Sequence, residues 1–575
     1  MFNYTSDKIA KFSGVRETPL LFLIIVSFLI GTVESAILAN RDKRGLRTYS
    51  IEGVLRLSED EIDIGTAALI LSREWGTQRT THVYRRKIDD MAEAILATLK
   101  KKHLPLDHRA IDIINHYLFD ELGFTAVDTA ENPNDLFLHV VLEKKSGYCL
   151  GLSILYLSIA ERLGLPIYGV VVPGHFFVRY DDGQRQFNIE TTSNGAVADD
   201  EHYIEEFNPP SGPRTLYMKN LTKKQSLGCF FNNLGNSYME VGDTDKAFEV
   251  LLRAVQINPL LSEANMNLGN VYLTKKMPLQ AVEQYEKALT IIGNDAKAMN
   301  NLASAYMQLG DYPKAESYYK TALSLDPEYI DVYQNLANAM QMQGRYEDAI
   351  SQLKAGVVLN PDNANSFLLL GLICRQTQHF SDAEKYLLKA LALDPFLSAA
   401  RVSLGYVYLD QGRLQWAEST FQKALFHDKA LPQAHFGLAQ IYFQKDQIDR
   451  EIQSYETALA YDPYMVAGLQ NLGNAYIRQG NESAALVAFQ QAIGVDPQNT
   501  DLHYNLAVTY AKMQEHQQAV AAFSEAIKLD PTNAAAYNGI AISYYHLGQK
   551  KLAGTHARKA ETLGYEVQRK LLELK

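Results

Sequence analysis

From about residue 228 onward, small, apolar and polar residues return on a fixed ruler of 34 positions. Prolines stand at 259, 327, 361, 395, 463, 497 and 531, and Gly293 and Lys429 occupy the two remaining points of that grid. A glycine or alanine recurs at 235, 269, 303, 337, 371, 405, 439, 473, 507 and 541. Three residues later comes a tyrosine, at 238, 272, 306, 408, 442, 476, 510 and 544, with Met340 and Cys374 in the other two places. A period of this kind holds two short helices. Small residues let the helices cross closely, the aromatic fills the gap between neighbours, and proline ends the second helix. No insertion breaks the register over ten units, 228–567, so each unit buries its apolar face against the next in an all-α superhelix. Residues 568–575, "QRKLLELK", read as the end of a capping helix.

The pattern upstream is different. "DIGTAALILSREW" and "RRKIDDMAEAILATLKKK" carry apolar residues at three- and four-residue spacing, which predicts helices within 60–120. Residues 149–163, "CLGLSILYLSIAERL", are apolar nearly all round and predict a buried central helix, ended by Gly164 and Pro166. "HFFVRY" and "QRQFNIE" then alternate with period two, which predicts two antiparallel strands around a two-residue Asp182-Gly183 turn. That register sets Asp181 opposite Gln184, Phe177 opposite Asn188 and His175 opposite Glu190. Phe176, Val178 and Tyr180 then share one face with Phe187 and Ile189, leaving His175, Asn188 and Glu190 on the face away from the apolar layer.

A chain of 575 residues exceeds what one core organises, which agrees with two folded parts, 51–215 and 228–567, after a short linker at 41–50. Residues 20–33, "LLFLIIVSFLIGTV", are flanked by Lys8, Lys11, Arg16 and by Arg41, Lys43, Arg44. They predict a secretory signal cleaved near Ala36 or an anchor over 19–39, and residues 1–40 are therefore assigned to membrane targeting. The expected location is membrane-associated or exported, with the periplasmic side favoured and the cytoplasmic side left open. The net charge of −11 argues against nucleic acid as a partner. Three cysteines, at 149, 229 and 374, form no spacing typical of disulfide or zinc frameworks. Cys374 stands in the packing place of a tyrosine, and neither it nor Cys229 is given a role.

Cys149 is the exception, because it opens the buried helix. The unpaired N–H groups and positive end of the dipole there favour an anionic sulfur and provide donors for an oxyanion. Opposed residues of a hairpin have Cβ atoms about 4.5–5.5 Å apart, so the expected register brings an imidazole and a carboxylate together. Cys149, His175 and Glu190 thus make a candidate nucleophile, base and orienting acid. His202 and the run Asp199-Asp200-Glu201 are read as a solvated loop. Among the repeats, asparagines recur at 233, 267, 301, 335, 471 and 505, and on the same helix face at 236, 270, 338 and 474. Asn233, Asn236, Asn267, Asn270, Asn301, Asn335, Asn338, Asn471, Asn474 and Asn505 form a candidate ladder for the backbone of an extended peptide, or alternatively bond one repeat to the next. Leu369, Ser403 and Gly437 interrupt it.

The 34-residue units resemble tetratricopeptide repeats. Gly-x-Cys at the head of an apolar helix, "ERLGLPIYGVVVPGHFFVRY" and "FNIETT" are similar to the transglutaminase-like superfamily. "LFDELGFTAVDTAENPNDLFLHVVLEKKSGYCLGLSILYL" looks like the bacterial SirB-type branch of that superfamily. The resemblance implies an α+β papain-like domain followed by the all-α superhelix. It assigns nucleophile, base and acid to Cys149, His175 and Glu190, with "ETT" in place of the usual "DPT". It implies cleavage or transfer of an amide or peptide acyl group through a thioester, with no bound metal or organic cofactor. The repeats imply a protein or extended-peptide partner. Two alternatives stand beside this reading: a catalytically silent scaffold assembling partners on the repeats, and a cell-wall amidase.

Overall fold

The computed structural model describes residues 44–76, 80–127, 133–210 and 214–574. The apolar leader at 20–39 lies outside these residues, and among the described ones no helix is long and apolar enough to cross a membrane. The chain divides into two compact units, one running to Val332 and the other spanning Tyr333–Lys575.

The first unit opens with helices. α1 (Ile64–Glu74) and α2 (Thr81–Lys101) lie where the three- and four-residue spacing puts them, and both pack on α3 (Cys149–Leu163). α3 is buried along almost its whole length, as an apolar circumference requires. Gly164 ends it in a left-handed conformation, φ +72°, that a side chain would strain. β1 (Ile167–Val172), β2 (His175–Asp181), β3 (Gln186–Glu190) and β4 (Ala196–Ala198) form one antiparallel sheet in that order. Phe176, Val178, Tyr180 and Ile189 join α3 in the main core. The run read as a solvated loop is instead α4 (Asp200–Phe207), capped by Asp199 through the His202 N–H at 3.0 Å. α4 covers the other face of the sheet, where Tyr203 packs with Val170, Val172 and Phe177.

The three large helices meet at one buried arginine that bonds two carboxylates. Asp63 caps α1 through the Thr66 N–H at 2.7 Å. Arg162, near the end of α3, reaches Asp63 at 3.2 Å and Asp89 of α2 at 2.5 Å. Burial would raise the Asp63 carboxyl, but the Arg162 guanidinium and the Thr66 hydrogen bonds hold it below the usual range.

The described residues that lead into the repeats are tied to this domain. Tyr217 and Leu221 bridge to Val171 and Gly169 of β1. α5 (Lys223–Glu240), the first repeat helix, places Phe231 edge-on to Trp75 at 5.4 Å and Phe230 against Phe137 at 5.8 Å. Lys223 bonds Glu161 and the Ile62 carbonyl. A single hydrophobic core therefore runs from Ile51 to Ala298.

Twenty helices follow in pairs from α5, α6 (Thr244–Ile257) and α7 (Ser262–Thr274) to Lys550–Thr562. The grid prolines lie two residues beyond the second helix of each pair, after an Asn or Asp such as Asn258, Asp326 or Asp394. The side chain that meets the small glycines differs from the one expected. It is not the tyrosine three residues on but the residue sixteen on, in the paired helix, which is a leucine beside Gly235 and Gly371 and a ring beside the others. A Cβ at Gly269, Gly405 or Gly473 would meet Tyr285, Phe421 or Phe489 at 2.5, 2.6 and 2.7 Å. The expected tyrosines are buried or half-buried elsewhere in the repeat, with Tyr408 and Tyr442 bonding Glu384 and Glu418 at 3.0 and 3.2 Å. Leu571 of the short helix Arg569–Leu572 packs on Ala541 and Ala557 and closes the last pair.

Two stability measurements follow from this packing. Arg162→Ala removes the guanidinium bonded to the buried Asp63 and lowers the unfolding free energy of the first unit by about 3–5 kcal/mol, read by denaturant titration. Gly473→Val drives a side chain into the Phe489 ring and destabilises the second unit by about 1–3 kcal/mol, while the Trp75 fluorescence transition stays in place.

Candidate active site

Cys149 is the first residue of α3, and no side chain caps that end. The first-turn N–H groups have no carbonyl partner within the helix and lie at the same end as the sulfur. Cys149 is half-buried, whereas Cys229 and Cys374 are buried, and burial pushes both of their thiols up.

His175 begins β2, just after Gly174 turns the chain at φ +75°. The β2–β3 pairing sets Val178 opposite Ile189, Arg179 opposite Asn188 and Asp181 opposite Gln186. This is two residues away from the expected register. The hairpin turns through four residues, 182–185, because the Asp182 carboxylate accepts the N–H groups of Gln184 and Arg185 at 2.9 and 2.7 Å. Asp181 likewise accepts the Gly183 N–H at 3.0 Å. Such local carboxylate bonds close a wider turn than a two-residue one. A shift of two keeps every side chain on its face. It does move Glu190 to the level of Phe177, so Glu190 meets His175 diagonally rather than directly. The glutamate arm spans that diagonal, and Glu190 Oε2 lies 2.7 Å from His175 Nε2.

The face expected to be polar carries a second apolar layer. Phe177 stacks on Tyr203 with ring centroids 3.8 Å apart, and Phe207 lies parallel to the His175 ring at 5.2 Å. The Tyr203 hydroxyl donates to Glu190 Oε2 at 3.1 Å, and the Thr192 N–H donates to Oε1 at 2.9 Å, alongside the Thr192 hydroxyl. Thr191 carries the link to the helix: its hydroxyl lies 2.9 Å from that of Ser153 and donates to the Cys149 carbonyl at 3.4 Å. The end of β3 is thereby fixed to the first turn of α3. Asp200 is engaged as well, accepting from Arg179 at 2.6 Å and from Asn188 at 2.8 Å.

The charges follow from these contacts. Burial opposes an imidazolium at His175, but hydrogen bonds and charges from Cys149 and Glu190 outweigh it and push the pKa up to about 10. With Nε2 on Glu190, Nδ1 is the ring nitrogen left for the thiol. Burial would also raise Glu190, yet His175 and Thr192 hold it below the usual carboxylate range. The arrangement places a sulfur, a proton carrier and a counter-charge in series at a helix N-terminus. Among the described residues no group of three or more His, Cys, Asp or Glu side chains is placed to hold a metal ion.

His175, Gly174 and Tyr148 line a cleft of about 540 Å³, and the repeats line it too, through Asn232, Asn233 and Asn267 among others. The predicted ladder is not a row of idle amides. Asn267 donates to Asn232 at 3.0 Å, Asn301 to Asn270 at 3.2 Å, and Asn236 to Glu240 at 3.0 Å. In the second unit Asn471 and Asn474 line a groove of about 580 Å³ with Arg478 and Phe443. Asn338 is exposed, and Asn335 and Asn505 are half-buried. Sequence reasoning missed Ser153, Thr191, Tyr203 and Asn232. Only Thr191 had a signal, its place beside Glu190 in "ETT".

Residues 82–225 match the family model described as transglutaminase-like superfamily. Tetratricopeptide models match 230–259, 262–295, 294–357, 335–398, 402–466, 473–514 and 500–533. A UPF0162 protein of Xylella fastidiosa is 24% identical over 217 residues, 36% of this chain and 76% of that protein. F-box only protein 21 of Mus musculus is 35% identical over 82 residues, 14% of this chain and 13% of that protein. A tetratricopeptide repeat protein from Parabacteroides merdae aligns in structure with TM-score 0.35 and 15% identity, over 43% of this chain and 98% of its own. The chain thus carries a transglutaminase-like superfamily domain followed by tetratricopeptide repeats.

Proposed function

We propose that this protein is a cysteine-dependent acyl-transfer enzyme whose repeats bind the protein on which it acts. The observation that carries the reading is the His175–Glu190 contact of 2.7 Å, on a strand end that Thr191 ties to the carbonyl of Cys149. Sγ of Cys149 adds to the carbonyl carbon of an amide, and the first-turn N–H groups of α3 face the developing oxyanion. His175 passes a proton to the departing amine, which leaves as the C–N bond breaks and a thioester remains. Water or a second amine then takes the acyl group and restores the thiol, with His175 accepting the proton. Glu190 holds the ring in place and offsets the imidazolium charge. The apolar segment at 20–39 supports attachment to, or passage across, a membrane, with the folded parts on the exported side.

Alkylation of Cys149 by iodoacetamide in the full-length protein at pH 7 tests the pair. His175→Ala slows it by at least about tenfold, because the variant lacks the base that takes the thiol proton, and Glu190→Gln slows it less. Equal rates in all three proteins would overturn the catalytic reading and leave a scaffold, which keeps its function in Cys149→Ala. The pH dependence of stability has a definite sign. The folded-state pKa of His175 lies above the ordinary 6.5, at about 10. Its ion pair therefore contributes fully below pH 6.5 and is lost as the pH rises through about 10. The melting-temperature gap between wild type and His175→Gln should narrow across that window.

A further inference from the structure

Two buried hydroxyls, Ser153 and Thr191, lie beneath the site at 0% and 1% exposure. Ser153 stands one turn after Cys149 on α3, and Thr191 follows Glu190 at the end of β3. The Ser153 hydroxyl lies 2.9 Å from that of Thr191 and donates to the Phe176 carbonyl at 3.4 Å. The Thr191 hydroxyl donates to the Cys149 carbonyl at 3.4 Å. Phe176 is the residue after His175 on β2. One hydroxyl pair thus touches the main chain of Cys149, the main chain beside His175, and the residue beside Glu190.

The direction of Ser153 is informative. A serine inside a helix ordinarily donates to the carbonyl four residues back. Ser72 and Ser158 do so, to Ala68 at 2.9 Å and Ile154 at 2.6 Å. For Ser153 that carbonyl is the one on Cys149, which Thr191 takes instead, and Ser153 reaches across to β2 and β3. A buried hydroxyl costs free energy unless it is bonded, and alanine with valine would fill the same places without that demand. The "DPT" pattern has proline where Thr191 stands, and a proline side chain offers no hydroxyl.

We propose that Ser153 and Thr191 are positioning residues whose hydroxyl pair sets the spacing of sulfur, imidazole and carboxylate. This rests on the acyl-transfer reading above and adds no step to it. Both residues act through the main chain at Cys149, His175 and Glu190 rather than on the reacting atoms. Reactivity at Cys149 then depends on the pair in a way that stability does not.

The test measures iodoacetamide alkylation of Cys149 in full-length protein at pH 7, by mass spectrometry, beside the melting temperature. Ser153→Ala and Thr191→Val each leave the partner hydroxyl one bond short. Each should lower the melting temperature and slow alkylation about fivefold, the scale of one net hydrogen bond. Thr191→Ser keeps the hydroxyl and should keep the wild-type rate. The double variant Ser153→Ala/Thr191→Val removes both hydroxyls, and paired replacement by apolar groups of like shape is nearly neutral for stability. Its melting temperature should therefore return toward wild type while its rate stays about fivefold down or lower, since the lost bonds still held the geometry. Placed in His175→Ala, the same double change should slow alkylation no further, because the pair acts by aligning that ring. A rate that recovers together with the melting temperature overturns the proposal. So does a full loss persisting in the His175→Ala background, or a Thr191→Ser protein as slow as Thr191→Val. Wild type and His175→Ala alkylating at one rate would instead overturn the acyl-transfer reading, and this proposal with it.

Discussion

A helix that is apolar on every side is stable only where neighbours cover every side. α3 is such a helix, and the first unit is organised by the need to enclose it. α1 and α2 cover one flank, and the sheet covers another. Its C-terminal turn carries the buried cation Arg162, and that charge is matched by Asp63 and Asp89. Its N-terminus is the part left half-open, and Cys149 stands there. The rest of the site inherits its geometry from this constraint. A rigid, buried helix holds the sulfur and its neighbouring N–H groups still, whereas a loop would need to order them at each encounter.

The acid of the site shows how a small change of register is absorbed. The carboxylates of Asp181 and Asp182 widen the hairpin turn and slide β3 by two residues along β2. Because side chains alternate with a period of two, the slide preserves the faces and changes only the reach. Glutamate supplies the extra length. Its flexibility is then removed by four contacts, from His175, Tyr203 and both donors of Thr192. Thr191 anchors the same strand end to the Cys149 carbonyl and to Ser153. The departure from the "DPT" pattern is thus accommodated by neighbours at named positions.

The repeats begin before the transglutaminase-like domain has finished its core. Trp75 and Phe137 pack on Phe231 and Phe230 of the first repeat helix, and residues 217–221 bridge to β1. A repeat array buries each face against its neighbour and leaves its first face open. Here the domain covers that face, and the shared cleft beside His175 is a consequence of the cover.

The sequence alone determined what depends on local period and composition. The 34-residue ruler specified ten helix pairs, because no insertion disturbs it. The all-apolar stretch from Cys149 specified a central helix with a cysteine at its head. The alternation around Asp182 put His175 and Glu190 on one face of a hairpin, whatever the loop length. What it could not specify was anything settled by side chains meeting from distant parts of the chain. The diagonal reach of Glu190 depends on carboxylates choosing a turn, and the cover of its face depends on Tyr203 and Phe207 arriving from a helix that reads as a charged loop. The side chain beside each small repeat glycine lies sixteen positions away, so only the crossing of paired helices identifies it. Asn232 looks like its many neighbouring asparagines until packing buries it between Asn233 and Asn267. Periodicity is written along the chain and is legible there, whereas reach and burial are decided in three dimensions by whichever groups fill the remaining space.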